Sequence, residues 1–239
     1  MEIIQAIILG IIQGITEWIP VSSQSVVAFV SNRFFSTDAT SFAVWLHIGT
    51  MLAGAVYFRN ELYECIKFPK MAYFISLSII FTGVSVFLAP NLEFMARWIT
   101  ISISILLIII GIWRIKNEIP DKKINEWDGI PVGLAQGISV LPLVSRLGIT
   151  FTSLMLLKYK VAKALELSFI AGIFASAGAV AMEVLSTGIT FSYNYLIGAA
   201  FSFIFGLIGI IILFKIVKKV PEWAVIISFG ILALVPLFL

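Results

Sequence analysis

The chain has 239 residues, of which 60% are apolar and only 12% charged, with a net charge of +3. A water-soluble domain is about half apolar and a quarter charged, so this composition excludes one and requires the bilayer as solvent. The small positive charge, spread over short loops, excludes nucleic acid as a partner, and the single cysteine, Cys65, excludes a disulfide framework or a cysteine-rich metal site.

Residues 2–31 lack the basic start and small-residue cleavage site of a signal peptide. Their centre is too polar for a plain crossing. Gln13-Gly14-Ile15-Thr16-Glu17 and Pro20-Val21-Ser22-Ser23-Gln24-Ser25 interrupt two short apolar arms, the pattern of a re-entrant hairpin or broken helix. Three segments long enough to cross then follow, at 39–58, 70–90 and 96–114. Residues 129–157 repeat the interrupted pattern around Gln136-Gly137-Ile138-Ser139 and Pro142-Leu143-Val144-Ser145-Arg146. Crossings at 163–184 and 192–214 and a shorter one at 222–239 complete about six.

Loop charges orient the chain. If 129–157 is a hairpin, the loops after 39–58, 96–114, 129–157 and 192–214 all fall on one face, with 13 of the 16 Lys and Arg residues. Only Arg33 and Arg97 lie opposite, and Arg146 lies within. Reading 129–157 as an ordinary crossing scatters these clusters over both faces. The hairpin reading is therefore preferred, with the basic face cytoplasmic and both termini outside.

A shift of 123 positions aligns Gly10, Gln13, Gly14, Ile15, Val21 and Ser22 with Gly133, Gln136, Gly137, Ile138, Val144 and Ser145. Three crossings separate the copies, and an odd number turns the second one over. The expected architecture is one all-α polytopic membrane domain over 1–239. It holds an interdigitated inverted repeat, about 1–115 and 124–239, with its site where the two re-entrant hairpins meet near the midplane. Glu17-Ser22-Ser23 should then face Ser145-Arg146.

Charges inside a bilayer are costly and are usually paired or functional. Glu17 and Arg146 are the deepest in these segments, and a purely structural ion pair is one reading of them. Their company argues for another. Gln13 lies one helical turn from Glu17, and Ser22, Ser23, Gln24 and Ser145 add hydroxyl and amide groups. With a guanidinium and broken helix ends, these make a cradle for an anionic headgroup. Glu166 and Glu183 read as interfacial, and the tryptophans mostly as a belt near span ends. The small-residue run from Gly172 to Ala179 reads as a helix-packing face.

The stretch Gln13-Gly-Ile-Thr-Glu17-Trp-Ile-Pro20-Val-Ser22-Ser23 closely resembles the first signature of the undecaprenyl-diphosphate phosphatase (bacitracin-resistance) family. Pro142-Leu-Val-Ser145-Arg146-Leu-Gly148-Ile-Thr150 resembles its second, Pro-Gly-x-Ser-Arg-Ser-Gly-x-Thr, and the resemblance covers the whole chain. It implies hydrolysis of a polyprenyl diphosphate to the monophosphate carrier in a prokaryotic plasma membrane, usually with a divalent cation, Mg²⁺ or Ca²⁺. Glu17 then matches a position assisting metal binding or proton transfer, Ser23 the proposed nucleophile, and Gln13 the Glu-or-Gln position. Ser145, Arg146 and Thr150 match phosphate-binding positions. Ser22, Gln24, Gln136 and His47 complete the expected substrate-binding set.

The chain departs from the family pattern, whose first signature continues Ser-Ser-Thr-Gly-His where this chain has Ser22-Ser23-Gln24-Ser25-Val26. Val26 stands where the family carries histidine, Leu143 where it carries glycine, and Leu147 where it carries serine. The only histidine, His47, is expected near Ser23, where it could restore the missing imidazole; a histidine simply bonded between helices is the other reading. The expected partners are a polyprenyl diphosphate or phosphate lipid and the membrane, with homodimerisation left open. A translocase moving a polyprenyl phosphate between leaflets, without hydrolysis, could use the same cradle.

Overall fold

A computed structural model describes residues 2–35, 40–187 and 192–239. Among the described residues there are eleven α-helices and no strands. They are α1 (Ile3–Thr16), α2 (Ser23–Val30), α3 (Thr40–Tyr57), α4 (Arg59–Lys67), α5 (Pro69–Leu88), α6 (Ala96–Arg114), α7 (Gly129–Ile138), α8 (Arg146–Leu156), α9 (Val161–Thr187), α10 (Tyr193–Val217) and α11 (Glu222–Leu232).

Four described helices are long and apolar enough to cross a bilayer: α5, α6 with its lead-in from Asn91, α9 and α10. A fifth span exists if Phe42–Tyr57 and Arg59–Cys65, bent by 79°, count as one. Phe87, Leu185 and Ile109 are among the many large apolar side chains exposed on the outside, as lipid contact requires. The chain is an all-helical, multi-pass membrane protein. The expected final crossing, 222–239, is instead an 11-residue helix followed by a 3₁₀ turn at Val235–Phe238, short of a full span. Pro236 in that turn lacks the amide hydrogen that a continuing helix needs.

Both interrupted segments break as their sequences foretell. The first gives α1 and α2 on either side of residues 17–22, and the second gives α7 and α8 on either side of residues 139–145.

Without a hydrophobic drive between helices in lipid, close packing has to come from small residues. A Cβ at Gly14 of α1 would lie 2.7 and 2.8 Å from backbone atoms of Gly206 and Ser202 on α10. A Cβ at Gly137 of α7 would lie 2.6 Å from the Thr82 carbonyl oxygen on α5. The helix pairs α1/α10 and α7/α5 therefore approach backbone to backbone. Between α3 and α10, Ser202 Oγ donates to the Leu46 carbonyl at 2.7 Å. An aromatic cluster joins α1 to α9 and α10: Trp18 meets Phe169 edge-on at 5.1 Å, and Phe58 contacts Phe169 and Phe214. Trp18, only 3% exposed, is thus a core residue, whereas Trp98, Trp113, Trp127 and Trp223 face outward as belt residues do.

One end of the bundle is tied by a polar network. Arg114, closing α6, donates to Glu222 Oε2 at 2.7 Å and to the Tyr159 carbonyl at 2.8 Å. The Tyr159 hydroxyl donates to Asp128 at 2.7 Å, and Lys122 Nζ reaches Asp128 at 2.6 Å and the Leu157 carbonyl at 2.9 Å. The start of α7, the end of α8 and the start of α11 therefore share that end with the basic loop after α6.

Candidate active site

Glu17 caps the C-terminus of α1, its amide bonded to the Gln13 carbonyl one turn earlier. This spacing brings the Gln13 side chain onto the same face, where Nε2 donates to Glu17 Oε2 at 2.9 Å. Ser22 then caps the N-terminus of α2, its hydroxyl accepting from the Ser25 amide and from the Ser25 hydroxyl at 2.9 Å. The cap starts a new helix at Ser23, and its first turn projects Ser23 back at α1. There Ser23 Oγ donates to Glu17 Oε2 at 2.8 Å. Ser145 plays the same capping part for α8, accepting from the Gly148 amide at 3.1 Å, and Arg146 is the first residue of that helix.

The two breaks meet. Arg146 Nη2 donates to Glu17 Oε1 at 2.6 Å, joining segments 129 residues apart in the chain. The Leu143 amide donates to Ser25 Oγ at 3.3 Å, a second tie between them. His47 of α3 approaches from another side, its Nε2 3.8 Å from Glu17 Oε2. The ring's Nδ1 lies 2.7 Å from the Ala43 carbonyl. A carbonyl only accepts, so Nδ1 carries a proton and Nε2 is the atom turned toward the carboxylate.

These groups line a cavity of about 520 Å³. Glu17, Ser22, Ser23, Gln24, His47, Gln136, Ser145 and Arg146 all face it. Because the first turns of α2 and α8 both lie in its wall, two helix N-termini converge there, a favourable setting for an anion. Gln13 stands behind Glu17 rather than in the lining. Thr150 is also off the cavity: its hydroxyl lies 2.8 Å from the Arg146 carbonyl and 2.5 Å from Ser168 Oγ, bracing α8 on α9.

Other lining residues were not assigned to the site from the sequence, where Glu183 reads as interfacial. Asn32, Thr82, Ser139, Ser176 and Glu183 face the cavity, with Ala175, Ala179 and Val180 between them. A signal for α9 existed. Gly172, Ala175, Ser176, Ala179, Val180 and Glu183 follow the 3–4 residue spacing of one helix face. The small-residue run expected to pack helices instead forms a cavity wall, and Gly178 has nothing within 4 Å of a built Cβ. Glu166 does pair locally, with Lys163.

Two polar atoms in the cavity-lining residues are buried without a partner, Arg146 Nη1 and Gln136 Oε1, and a third, Gln13 Oε1, lies behind Glu17. Among the described residues no group of three or more His, Cys, Asp or Glu side chains could hold a metal. A hard cation held by one carboxylate plus substrate phosphate oxygens needs no such cluster. Glu17, with the unpartnered amide oxygen of Gln13 nearby, fits that mode of binding and no tighter one.

The sequence matches the family model described as Bacitracin resistance protein BacA over residues 6–235. The chain belongs to that family. Similar proteins named undecaprenyl-diphosphatase include one from Methanococcoides burtonii, 32% identical with both chains covered in full. Another, from Methanothrix thermoacetophila, is 36% identical over 98% of this chain and 96% of its own. A third, from Saccharolobus islandicus, is 37% identical over 77% and 74%.

BacA membership gives the departures from the family pattern a structural meaning. Leu143, in place of glycine, sits at φ 68°, the left-handed region that glycine enters without strain. Val26, in place of histidine, does not line the cavity, while His47 does.

Proposed function

We propose that the protein is a polyprenyl-diphosphate phosphatase, hydrolysing a long-chain isoprenyl diphosphate to the monophosphate carrier and inorganic phosphate. One observation carries this reading. In the wall of a single cavity, one carboxylate is within hydrogen-bond distance of both a hydroxyl and a guanidinium, the guanidinium coming from a second broken helix distant in sequence. The relatives named undecaprenyl-diphosphatase supply the reaction class.

Ser23 Oγ is the nucleophile and Glu17 Oε2, 2.8 Å away, its base. As Oγ bonds to the terminal phosphorus, the bond from that phosphorus to the bridging oxygen breaks. The hydroxyl proton passes to Glu17, and the prenyl monophosphate leaves with the bridging oxygen. Water then cleaves the phosphoserine and releases phosphate. Arg146 fixes the carboxylate through Nη2 and turns the cavity side of its guanidinium to a phosphoryl oxygen. Ser22, Gln24, Ser145, Gln136 and His47 shape the headgroup pocket, and Thr150 acts by bracing α8. A Mg²⁺ or Ca²⁺ ion, held by Glu17 and substrate oxygens, would neutralise charge on the transferring group, with Gln13 orienting the carboxylate from behind.

The site is read as the meeting point of an inverted repeat, 1–115 with 124–239, whose hairpins at 2–31 and 129–157 re-enter the membrane. Matching contacts support this. Gly14 of α1 seats on α10 as Gly137 of α7 seats on α5, and Ser22 and Ser145 cap corresponding helices. The ties from Asp128 to Tyr159 and from Lys122 to Leu157 hold the start and end of the second hairpin together. In a prokaryotic plasma membrane the basic end then faces the cytoplasm and both termini lie outside. Single cysteines placed at Asn91 and Glu118 in a Cys65→Ser background should react with impermeant thiol reagent from opposite sides; labelling from one side refutes this topology.

The deciding assay is phosphate release from a C15 or longer prenyl diphosphate by purified protein, with and without Mg²⁺ or Ca²⁺. Release that Glu17→Ala and Arg146→Ala both abolish supports hydrolysis at this site. Tight prenyl monophosphate binding without any release would replace it by the translocase reading.

A further inference from the structure

Arg146 is held not only by Glu17 but by a gap in α9. A Cβ built at Gly172 would overlap Arg146 Nη1 and lie 2.6 Å from Cζ. No other side chain fits there while the guanidinium stays. Nη1 is buried and makes no hydrogen bond, so shape alone confines that arm. The other arm, Nη2, reaches Glu17 Oε1 at 2.6 Å. The guanidinium plane is thereby fixed at one end by charge and at the other by the missing side chain of a helix whose same face, through Ala175, Ser176 and Ala179, continues along the cavity.

We propose that Gly172 is a positioning residue for hydrolysis: its notch seats Nη1 and so sets the angle of the Arg146 fork, keeping Nη2 on Glu17 and the cavity side of the guanidinium in place for a phosphoryl oxygen. This rests on the phosphatase reading of Arg146 and adds a residue that the two sequence signatures do not contain. A guanidinium binds oxygens through a rigid fork, so its direction matters as much as its charge. A methyl group at 172 would push the fork toward the cavity and off Glu17. The displaced atoms are the far end of a flexible side chain, so the helix itself has no reason to unfold.

The test is Gly172→Ala against Gly178→Ala, a control on the same helix with open space around its Cβ. Gly172→Ala should fold normally and lose about a hundredfold in kcat/KM for a C15 prenyl diphosphate, the scale of a misplacement of about 1 Å. Gly178→Ala should hydrolyse as the unaltered protein does. The same pair is then made in an Arg146→Lys background, where a single ammonium replaces the fork. There Gly172→Ala should have little further effect. Where Arg146→Lys turns over too slowly, affinity for the same lipid is compared in all four proteins.

Unchanged hydrolysis in Gly172→Ala overturns the proposal, as does an equal loss with arginine and with lysine at 146, which would mark a plain packing role. If Gly172→Ala misfolds, the comparison is made with Arg146→Ala: recovery of folding there supports the notch, and continued misfolding overturns it. Arg146→Ala that still hydrolyses fully would refute the phosphatase site itself, a result separable from any outcome at Gly172.

Discussion

Arg146 Nη2 and Glu17 Oε1 lie 2.6 Å apart, yet 129 residues of chain separate them. Glu17 is 7% exposed, so the pair is largely withdrawn from solvent. Removing one member leaves the other charge without its counter-ion. Arg146→Ala and Glu17→Gln are each expected to lower stability by about 3–5 kcal/mol. The double variant should lose less than the two added together. Denaturant titration in detergent, with a double-mutant cycle, measures the difference.

Ser22 and Ser23 are neighbours with separate tasks. Ser22 Oγ accepts at the start of α2, whereas Ser23 Oγ donates to Glu17. Ser22→Ala should cost about 1 kcal/mol as a lost helix cap and lower turnover far less than the loss of Ser23 does. Ser23→Ala should reduce phosphate release by at least about a hundredfold, with a stability cost of about 1.5–3 kcal/mol for the lost hydrogen bond to Glu17. Steady-state kinetics beside thermal melts will separate them.

His47 turns Nε2 toward Glu17 Oε2 across 3.8 Å. His47→Gln keeps a polar side chain but removes the imidazole beside Glu17, and a drop of about tenfold in kcat is expected, about 1.4 kcal/mol of barrier. Undiminished hydrolysis would reduce His47 to a link between helices.

The single-carboxylate setting of Glu17 predicts weak cation binding without lipid. Calorimetric titration of the lipid-free protein with Ca²⁺ should show no tight site, while chelation with EDTA should slow hydrolysis and Mg²⁺ or Ca²⁺ restore it. Full activity after exhaustive chelation would remove the cation from the mechanism.

At the basic end, Tyr159 is fully buried and donates to Asp128. Burial, then the hydrogen bond to the Asp128 carboxylate, pushes its phenol well above the ordinary range. The raised value means that the folded chain keeps a proton the unfolded chain gives up. The contribution is therefore complete below about pH 10 and declines as pH rises above it. Tyr159→Phe should cost about 1.5–3 kcal/mol at neutral pH and flatten this alkaline decline. Denaturant midpoints between pH 7 and 11 test it.

Much of this could be read along the chain because bilayer physics acts locally. Polar groups interrupting an apolar run must be capped and covered, so the breaks at 17–22 and 139–145, and the pairing of Glu17 with Arg146, were foreseeable. The loop charges likewise grouped segments whose ends prove to be tied by Arg114, Tyr159 and Asp128. The final segment was less legible, since apolar composition measures length and not where Pro236 interrupts it.

What composition and local pattern determined was the solvent, the helical class, the two breaks and most of the polar residues that line the cavity. Only tertiary structure decided which face of α9 closes the cavity, that Thr150 stands behind it, and that Gly172 receives Arg146. In an almost uniformly apolar helix every face satisfies lipid equally well. The choice among faces is made by shape, where a missing side chain on one helix admits a guanidinium from another, and shape exists only once the helices have packed.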